Sequence, residues 1–178
     1  ECSRISGAFP IGGYYTIRSA ESFAMIRCAS YKDRPAQADM LHLDLWWKGN
    51  NVLCDAGTYS YNTDERWMKY FNGTSSHNTI MIDNKDQMVK ASRFTWINWT
   101  QSRTIAFRSD PECSYFEGEH YGYAPIIHRR ALIAFSGNWV VIDDIIGKIE
   151  KTHTLRQQWL LGTENVEYIA ESNLFVIH

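Results

Sequence analysis

The stretch Arg34-Pro35-Ala36-Gln37-Ala38-Asp39-Met40-Leu41-His42-Leu43-Asp44-Leu45-Trp46-Trp47 runs through Lys48-Gly49-Asn50-Asn51 to Leu53-Cys54-Asp55-Ala56-Gly57. It reads as a long strand, a tight turn, a return strand and a glycine exit. Its period is two: Leu41, Leu43, Leu45 and Trp47 share one face, and Met40, His42, Asp44 and Trp46 share the other. The first set predicts a core face. The second is amphipathic and suits a sheet surface that is wet or lines a cleft. Lys48-Gly49-Asn50-Asn51 supplies residues that tolerate the positive φ of a hairpin turn. Gln37, Asp39, His42, Asp44 and Asp55 place ligand-type side chains in this otherwise apolar hairpin. Buried polar groups must find partners or cost free energy, so the stretch predicts more than a core.

Working outward, Tyr14–Ser19 and Phe23–Ser30 read as two strands of a preceding hairpin. Downstream, Thr63–Tyr70 is the one credible helix, capped by Thr63 or Asp64. Thr74-Ser75-Ser76-His77-Asn78-Thr79 then leads into the strand Ile80-Met81-Ile82. Further strands are expected at 94–99, 104–108, 115–121, 126–135, 139–146, 152–161 and 174–177, with Ser136-Gly137-Asn138 as a hairpin turn. Many strands, one short helix and no βαβ rhythm predict an all-β fold, a large antiparallel two-sheet β-sandwich.

Composition sets limits on function. A hydrophobic share of 44% in 178 residues is enough for one packed domain and argues against disorder. The net charge of −2, without a basic tail or stripe, excludes nucleic acid as the expected partner. A few local Arg and Lys residues still suffice for one subsite of an anionic sugar. Seven Trp and ten Tyr serve sheet packing first and sugar platforms second. Cys2, Cys28, Cys54 and Cys113 show no CxxC spacing, which argues against a zinc knuckle, though Cys28 and Cys54 lie in candidate strands and can approach each other. No apolar run is long enough to span a membrane, and no signal peptide is evident.

Two constellations carry ligand-type chemistry. His42-Leu43-Asp44 on one strand face, with a distant His, is the facial arrangement of a non-haem iron oxygenase; the plain alternative is a surface His sharing a hydrogen bond with its neighbour. Gln37, Asp55 and His77, from three loops that leave strands, are donors that can hold a divalent cation. Asp55 can instead bind the backbone of its own turn.

The blocks Gln37–Trp46, Asp55-Ala56-Gly57-Thr58-Tyr59-Ser60-Tyr61 and Ser76-His77-Asn78-Thr79-Ile80-Met81-Ile82-Asp83, followed by Asp86-Gln87, resemble the heparinase II/III-like family of polysaccharide lyases. His128-Arg129-Arg130 followed by Trp139–Asp143 is similar to a later hairpin of that family. The resemblance implies that residues 1–178 are one C-terminal β-sandwich domain, with an N-terminal helical toroid outside this chain, in a bacterial protein of periplasmic or secreted location. It implies β-elimination on a uronic-acid polysaccharide, an anionic polymer partner and possession of a zinc site. In relatives the block before the central strand reads His-x-His-x-Asp, one His serving catalysis and the other zinc. Here Pro35 and Gln37 hold those two positions and Asp39 is kept. Pro35 can neither transfer a proton nor bind metal, and a Gln37 carbonyl is a poor zinc ligand beside imidazole.

From the resemblance, His77, Gln37 and His42 are the candidate catalytic residues, and Asp55, His77 and Gln37 the candidate zinc ligands. Tyr59, Tyr61, Trp46 and Arg129 are candidate sugar contacts. Adjacent strand residues face opposite ways, so at most one of Arg129 and Arg130 points to a given cleft. The expectation is a chain inactive on its own. The competing readings are a non-catalytic carbohydrate-binding or structural module and, third, the iron oxygenase on His42 and Asp44.

Overall fold

The structure, a computed structural model, describes residues 5–110, 112–147, 151–172 and 174–177. Cys2 and His178 lie outside the described residues. Five strands, β1 (Gly7–Phe9), β2 (Tyr14–Arg18), β3 (Ser22–Arg27), β4 (Leu43–Trp47) and β5 (Asn50–Leu53), form an antiparallel meander in chain order. After α1 (Glu65–Asn72) and a 3-10 turn at Thr74–Ser76 comes β6 (Ile80–Ile82). The short hairpin of β7 (Val89–Ser92) and β8 (Thr95–Ile97) follows. The second large sheet has the order β12-β11-β10-β9, from β9 (Ser102–Ser109), β10 (Cys113–Tyr123), β11 (Ile126–Phe135) and β12 (Asn138–Ile146). β13 (Leu155–Gln157) pairs with β6, and β14 (Val166–Ile169) with β15 (Leu174–Ile177).

The two large sheets pack face to face, which makes the expected sandwich. Tyr15 and Ile17 of β2, Ala24 and Ile26 of β3, and Leu43 of β4 meet Phe116 of β10 and Leu132 of β11 in one buried cluster. Alternate residues of each strand supply it, so each sheet keeps one face for the core. The hairpin turns are where positive φ was needed: Lys48 and Gly49 close β4–β5, and Ser136 and Gly137 close β11–β12.

The long strand expected from Arg34 is shorter than its pattern suggests. Leu41 adopts φ 59; its N–H reaches back to the Arg27 carbonyl, and the His42 N–H closes a turn on the Asp39 carbonyl. Below this turn the alternation fails. Met40, Leu41, His42, Leu43 and Asp44 are all buried, while Trp47, expected in the core, is exposed. The segment thus buries residues of both parities, and His42 points inward rather than to a wet sheet face. The strand expected over 152–161 is cut to Leu155–Gln157. There Gln158 turns its side-chain amide onto the carbonyls of Thr74, Ser75 and His77, and the Leu160 N–H goes to a side chain at 2.6 Å. Cys28, Cys54 and Cys113 are free thiols.

Candidate functional site

The Ser76–Thr79 block threads between the two halves of the molecule, and each of its side chains satisfies a buried group. Ser76 Oγ donates to Phe71 and Gly73 carbonyls, and Thr79 Oγ1 to the Met40 carbonyl. Asn78 is a clamp. Its Nδ2 donates to the carbonyls of Leu43 (2.9 Å) and Cys54 (3.0 Å), and its Oδ1 accepts the Leu160 N–H. One amide therefore ties β4 and the strand exit before Asp55 to the 158–160 segment. His77, beside it, is carried to the Asp55 carboxylate.

Three ligand-capable side chains meet here: His42, Asp55 and His77, with donor atoms within 4.8 Å of one another. His77 Nδ1 lies 3.0 Å from Asp55 Oδ2, and His42 Nε2 lies 3.5 Å from the same oxygen. The two imidazoles are 5.3 Å apart, edge to face. Asp55 Oδ1 accepts the Gly57 N–H at 2.6 Å, the self-bound turn expected of this Asp-x-Gly. Both imidazoles are buried, and Asp55 alone keeps a third of its side chain exposed. Burial pushes the Asp55 carboxyl up, but the hydrogen bond from His77 outweighs it and holds it at about 2. Asp55 is therefore an ionised acceptor, and His77 carries its proton on Nδ1.

The His42 tautomer is set from the other side. Its Nδ1 accepts the backbone N–H of Asn78 at 2.9 Å, and an amide N–H can only donate. The ring proton of His42 is therefore on Nε2. A second proton would put two N–H groups face to face, in line with burial pushing this imidazole down to about 3. The Nε2 atoms of His42 and His77 are both buried and without a hydrogen-bond partner: the first is an N–H, the second a lone pair.

This decides the zinc question. Two imidazoles and a carboxylate are zinc-type donors. Yet a metal-bound imidazole donates its other ring N–H to an acceptor, and His42 has an N–H donor there instead. Binding through His42 Nε2 requires either imidazolate or loss of the Asn78 bond. The residues present do not fit a three-ligand zinc centre. They offer one buried donor and one buried acceptor instead.

The remaining candidates fall in several places. Gln37 is half-buried and its Nε2 contacts the Phe71 carbonyl at 3.5 Å, so His42 rather than Gln37 joins Asp55 and His77. Asp44 accepts from Asn51 at 3.3 Å, so the His42–Asp44 pair of the iron reading does not assemble. Tyr59 and Tyr61 are exposed on the loop after Asp55, and Tyr59 stacks on Phe71 with ring centroids 5.0 Å apart and an angle of 12°. Trp46 is exposed at the far end of β4, in a depression with Arg18–Phe23 and Gly49. Arg129 is held by Glu119 at 3.1 and 2.7 Å on the sheet face opposite Arg130.

Arg130 is the residue that reaches the site. Fully buried, it donates to both oxygens of Asp143 (2.7 and 3.0 Å) and from Nη1 to the carbonyls of Leu41 and Asn78. His128 Nε2 adds a bond to Asp143 Oδ1 at 2.7 Å, and His120 Nε2 bonds His128 Nδ1 at 3.1 Å. This buried network holds the residues adjoining His42 and His77. Its signal was in the hairpin register: a turn at Ser136-Gly137 that pairs Phe135 with Asn138 also pairs Arg130 with Asp143.

A family model described as heparinase II/III-like, C-terminal, matches residues 3–174. The chain belongs to the heparinase II/III-like family. Among curated proteins, a heparin-sulfate lyase of Pedobacter heparinus is 26% identical over 170 residues, covering 90% of this chain and 24% of the relative. A heparin-sulfate lyase of Bacteroides stercoris is 25% identical over 130 residues, covering 71% and 18%. Among solved structures, a heparinase III superposes with a TM-score of 0.78 at 18% identity, covering 94% of this chain and 26% of that one. This heparinase II/III-like chain thus spans about a quarter of the length of its relatives. Among the described residues no helix is long and apolar enough to cross a membrane.

Proposed function

We propose that this chain is the β-sandwich part of a polysaccharide lyase that cleaves a uronic-acid polymer by β-elimination, with the remaining catalytic groups supplied by a helical toroid in the same protein. The family match over residues 3–174 carries the reading. In such an elimination a base takes the C5 proton, the C4–O bond breaks, its electrons leave with the C4 oxygen, and a C4=C5 double bond forms. Because the C5 proton is weakly acidic, stabilising the developing enolate charge is the dominant need. Asp55 orients His77 and leaves its Nε2 lone pair as an acceptor, and His42 offers a neutral Nε2–H. Neither imidazole reaches solvent in this chain, so the sandwich alone has no accessible base. Pro35 and Gln37, where relatives have histidines, supply none either. Tyr59 and Tyr61, exposed beside Asp55, are the sugar platforms of this reading. This reading puts the protein where such a polymer is met, in the periplasm or outside the cell.

The test is absorbance from unsaturated uronate during incubation with heparan-type, alginate and bacterial exopolysaccharides. The protein carrying both toroid and sandwich is expected to raise it on one of these, and the 178-residue chain on none. A rise from the chain alone, or none from the longer protein on any uronate polymer, contradicts the reading.

A further inference from the structure

Although the chain has a net charge of −2, one side of it gathers cations. A cavity of about 1160 Å³ is lined by Lys69, Lys85, Lys90 and Lys151 against Asp83 and Asp86. A second cavity of about 470 Å³ shares Lys69 and Lys90 with it and adds Arg93, so the two form one groove. None of His42, Asp55 and His77 lines either part.

The groove carries three acids, Asp83 and Asp86 in its first part and Glu65 in its second. Asp83 Oδ2 lies 2.8 Å from His153 Nδ1, and its Oδ1 accepts the Thr154 N–H at 3.1 Å. Asp86 Oδ1 accepts the Thr74 N–H at 2.7 Å. The lysines are not engaged: none of the four has a carboxylate within 4.0 Å among the described residues. Lys69, Lys85 and Lys151 are exposed, and Lys90 lies over the Trp96 ring at 4.7 Å. A turn of two left-handed residues, Asp83 and Asn84, closed by the Ile82–Lys85 bridge, fixes Lys85 at the rim. Four lysines and Arg93 outnumber the three carboxylates, and an excess of cations along a concave surface raises the local concentration of anions and focuses their field there.

We propose that this groove binds a linear anionic polysaccharide, carboxylated or sulfated, at a site separate from the His42, Asp55 and His77 cluster. The cations are spread over two contiguous cavities and several chain segments, which matches charges repeated along a polymer rather than one small anion. The choice of polysaccharide over another polyanion rests on the reading of the chain as part of a lyase; the groove itself does not.

Isothermal titration of the 178-residue chain tests this with four probes: a heparin dodecasaccharide, an oligogalacturonate, a neutral dextran oligosaccharide and duplex DNA. At least one anionic sugar is expected to bind, with affinity that falls as salt rises, and dextran is not. The two sugar arms separate sulfate from carboxylate recognition. Lys85→Ala with Lys151→Ala, both exposed and unpaired, should weaken binding about tenfold or more and flatten the salt dependence, while Lys85→Arg with Lys151→Arg should retain it. Arg108→Ala, which removes an exposed cation outside the groove, should leave binding unchanged; binding is read on this chain and lyase activity on the toroid-bearing protein, so failure of the groove and failure of the lyase reading are distinguishable. Unchanged affinity in the double alanine variant, loss of binding in Arg108→Ala, tighter binding of DNA, or no binding of either anionic sugar overturns the proposal.

Discussion

The backbone N–H of Asn78 points at Nδ1 of His42 across 2.9 Å, and that single bond fixes where the His42 proton resides. Asn78 is also bonded through its side chain to Leu43, Cys54 and Leu160, so the N–H cannot swing away without opening β4. Two imidazoles and a carboxylate meet here as zinc would need, but they are wired as a hydrogen-bonded cluster.

Arg130 is the first residue to test for stability. Arg130→Met removes the cation paired with the buried Asp143 carboxylate and the donor to the Leu41 and Asn78 carbonyls. Removing one member of a buried ion pair costs about 3–5 kcal/mol, and denaturant unfolding should show a loss of that size. Arg130→Lys should recover little, because an ammonium lacks the planar fork that reaches both carboxylate oxygens and the carbonyls.

Stability should fall as pH drops below neutrality. Burial pushes the His120 and His128 imidazoles below their ordinary value, so the unfolded chain takes up protons near pH 6.5 that the folded one refuses. Each such proton costs about 1.4 kcal/mol per pH unit below that value. Asp143, which burial raises but the His128 and Arg130 hydrogen bonds outweigh, sits at about 2. Its depressed carboxyl contributes stability above about pH 4, lost as pH falls toward 2. Unfolding free energy measured from pH 8 to 4 should therefore decline from about pH 6.5 onward; a curve flat to pH 5 contradicts this.

Much of the fold was legible in the sequence. β6 and β15 were readable to the residue as short apolar runs and β11 by its alternation, and glycines mark the hairpin turns that demand positive φ. The segment 37–42 was not, since nothing in an alternating pattern announces that Leu41 takes a left-handed backbone and turns both parities inward. The 152–161 error has a similar cause: Gln158 and Leu160 spend their bonds on the 74–78 segment rather than on a ladder. At the site, Asp55 and His77 were legible through their motifs and Gln37 was placed by analogy with a missing histidine. Arg130 and Asp143 were readable from register, whereas the buried His120–His128 pair gives no sequence signal distinguishable from surface polarity.

Tyr59 tests the sugar platform. One ring face is covered by Phe71 and the residue is 69% exposed, so Tyr59→Ala should change stability little. Loss of a stacking partner worth about 0.5–1.5 kcal/mol should raise the polymer KM of the toroid-bearing protein up to about tenfold, with little effect on kcat. An unchanged KM removes Tyr59 from the substrate path.

The central claim is that His42, Asp55 and His77 form a hydrogen-bonded cluster and not a zinc centre. Long-range 1H–15N correlation of the histidine side chains, recorded before and after adding one equivalent of zinc, tests it most directly. An Nε2–H tautomer for His42 and an Nδ1–H tautomer for His77 are expected, neither changed by zinc. An Nδ1–H signal for His42, with zinc shifting its Nε2, would contradict it.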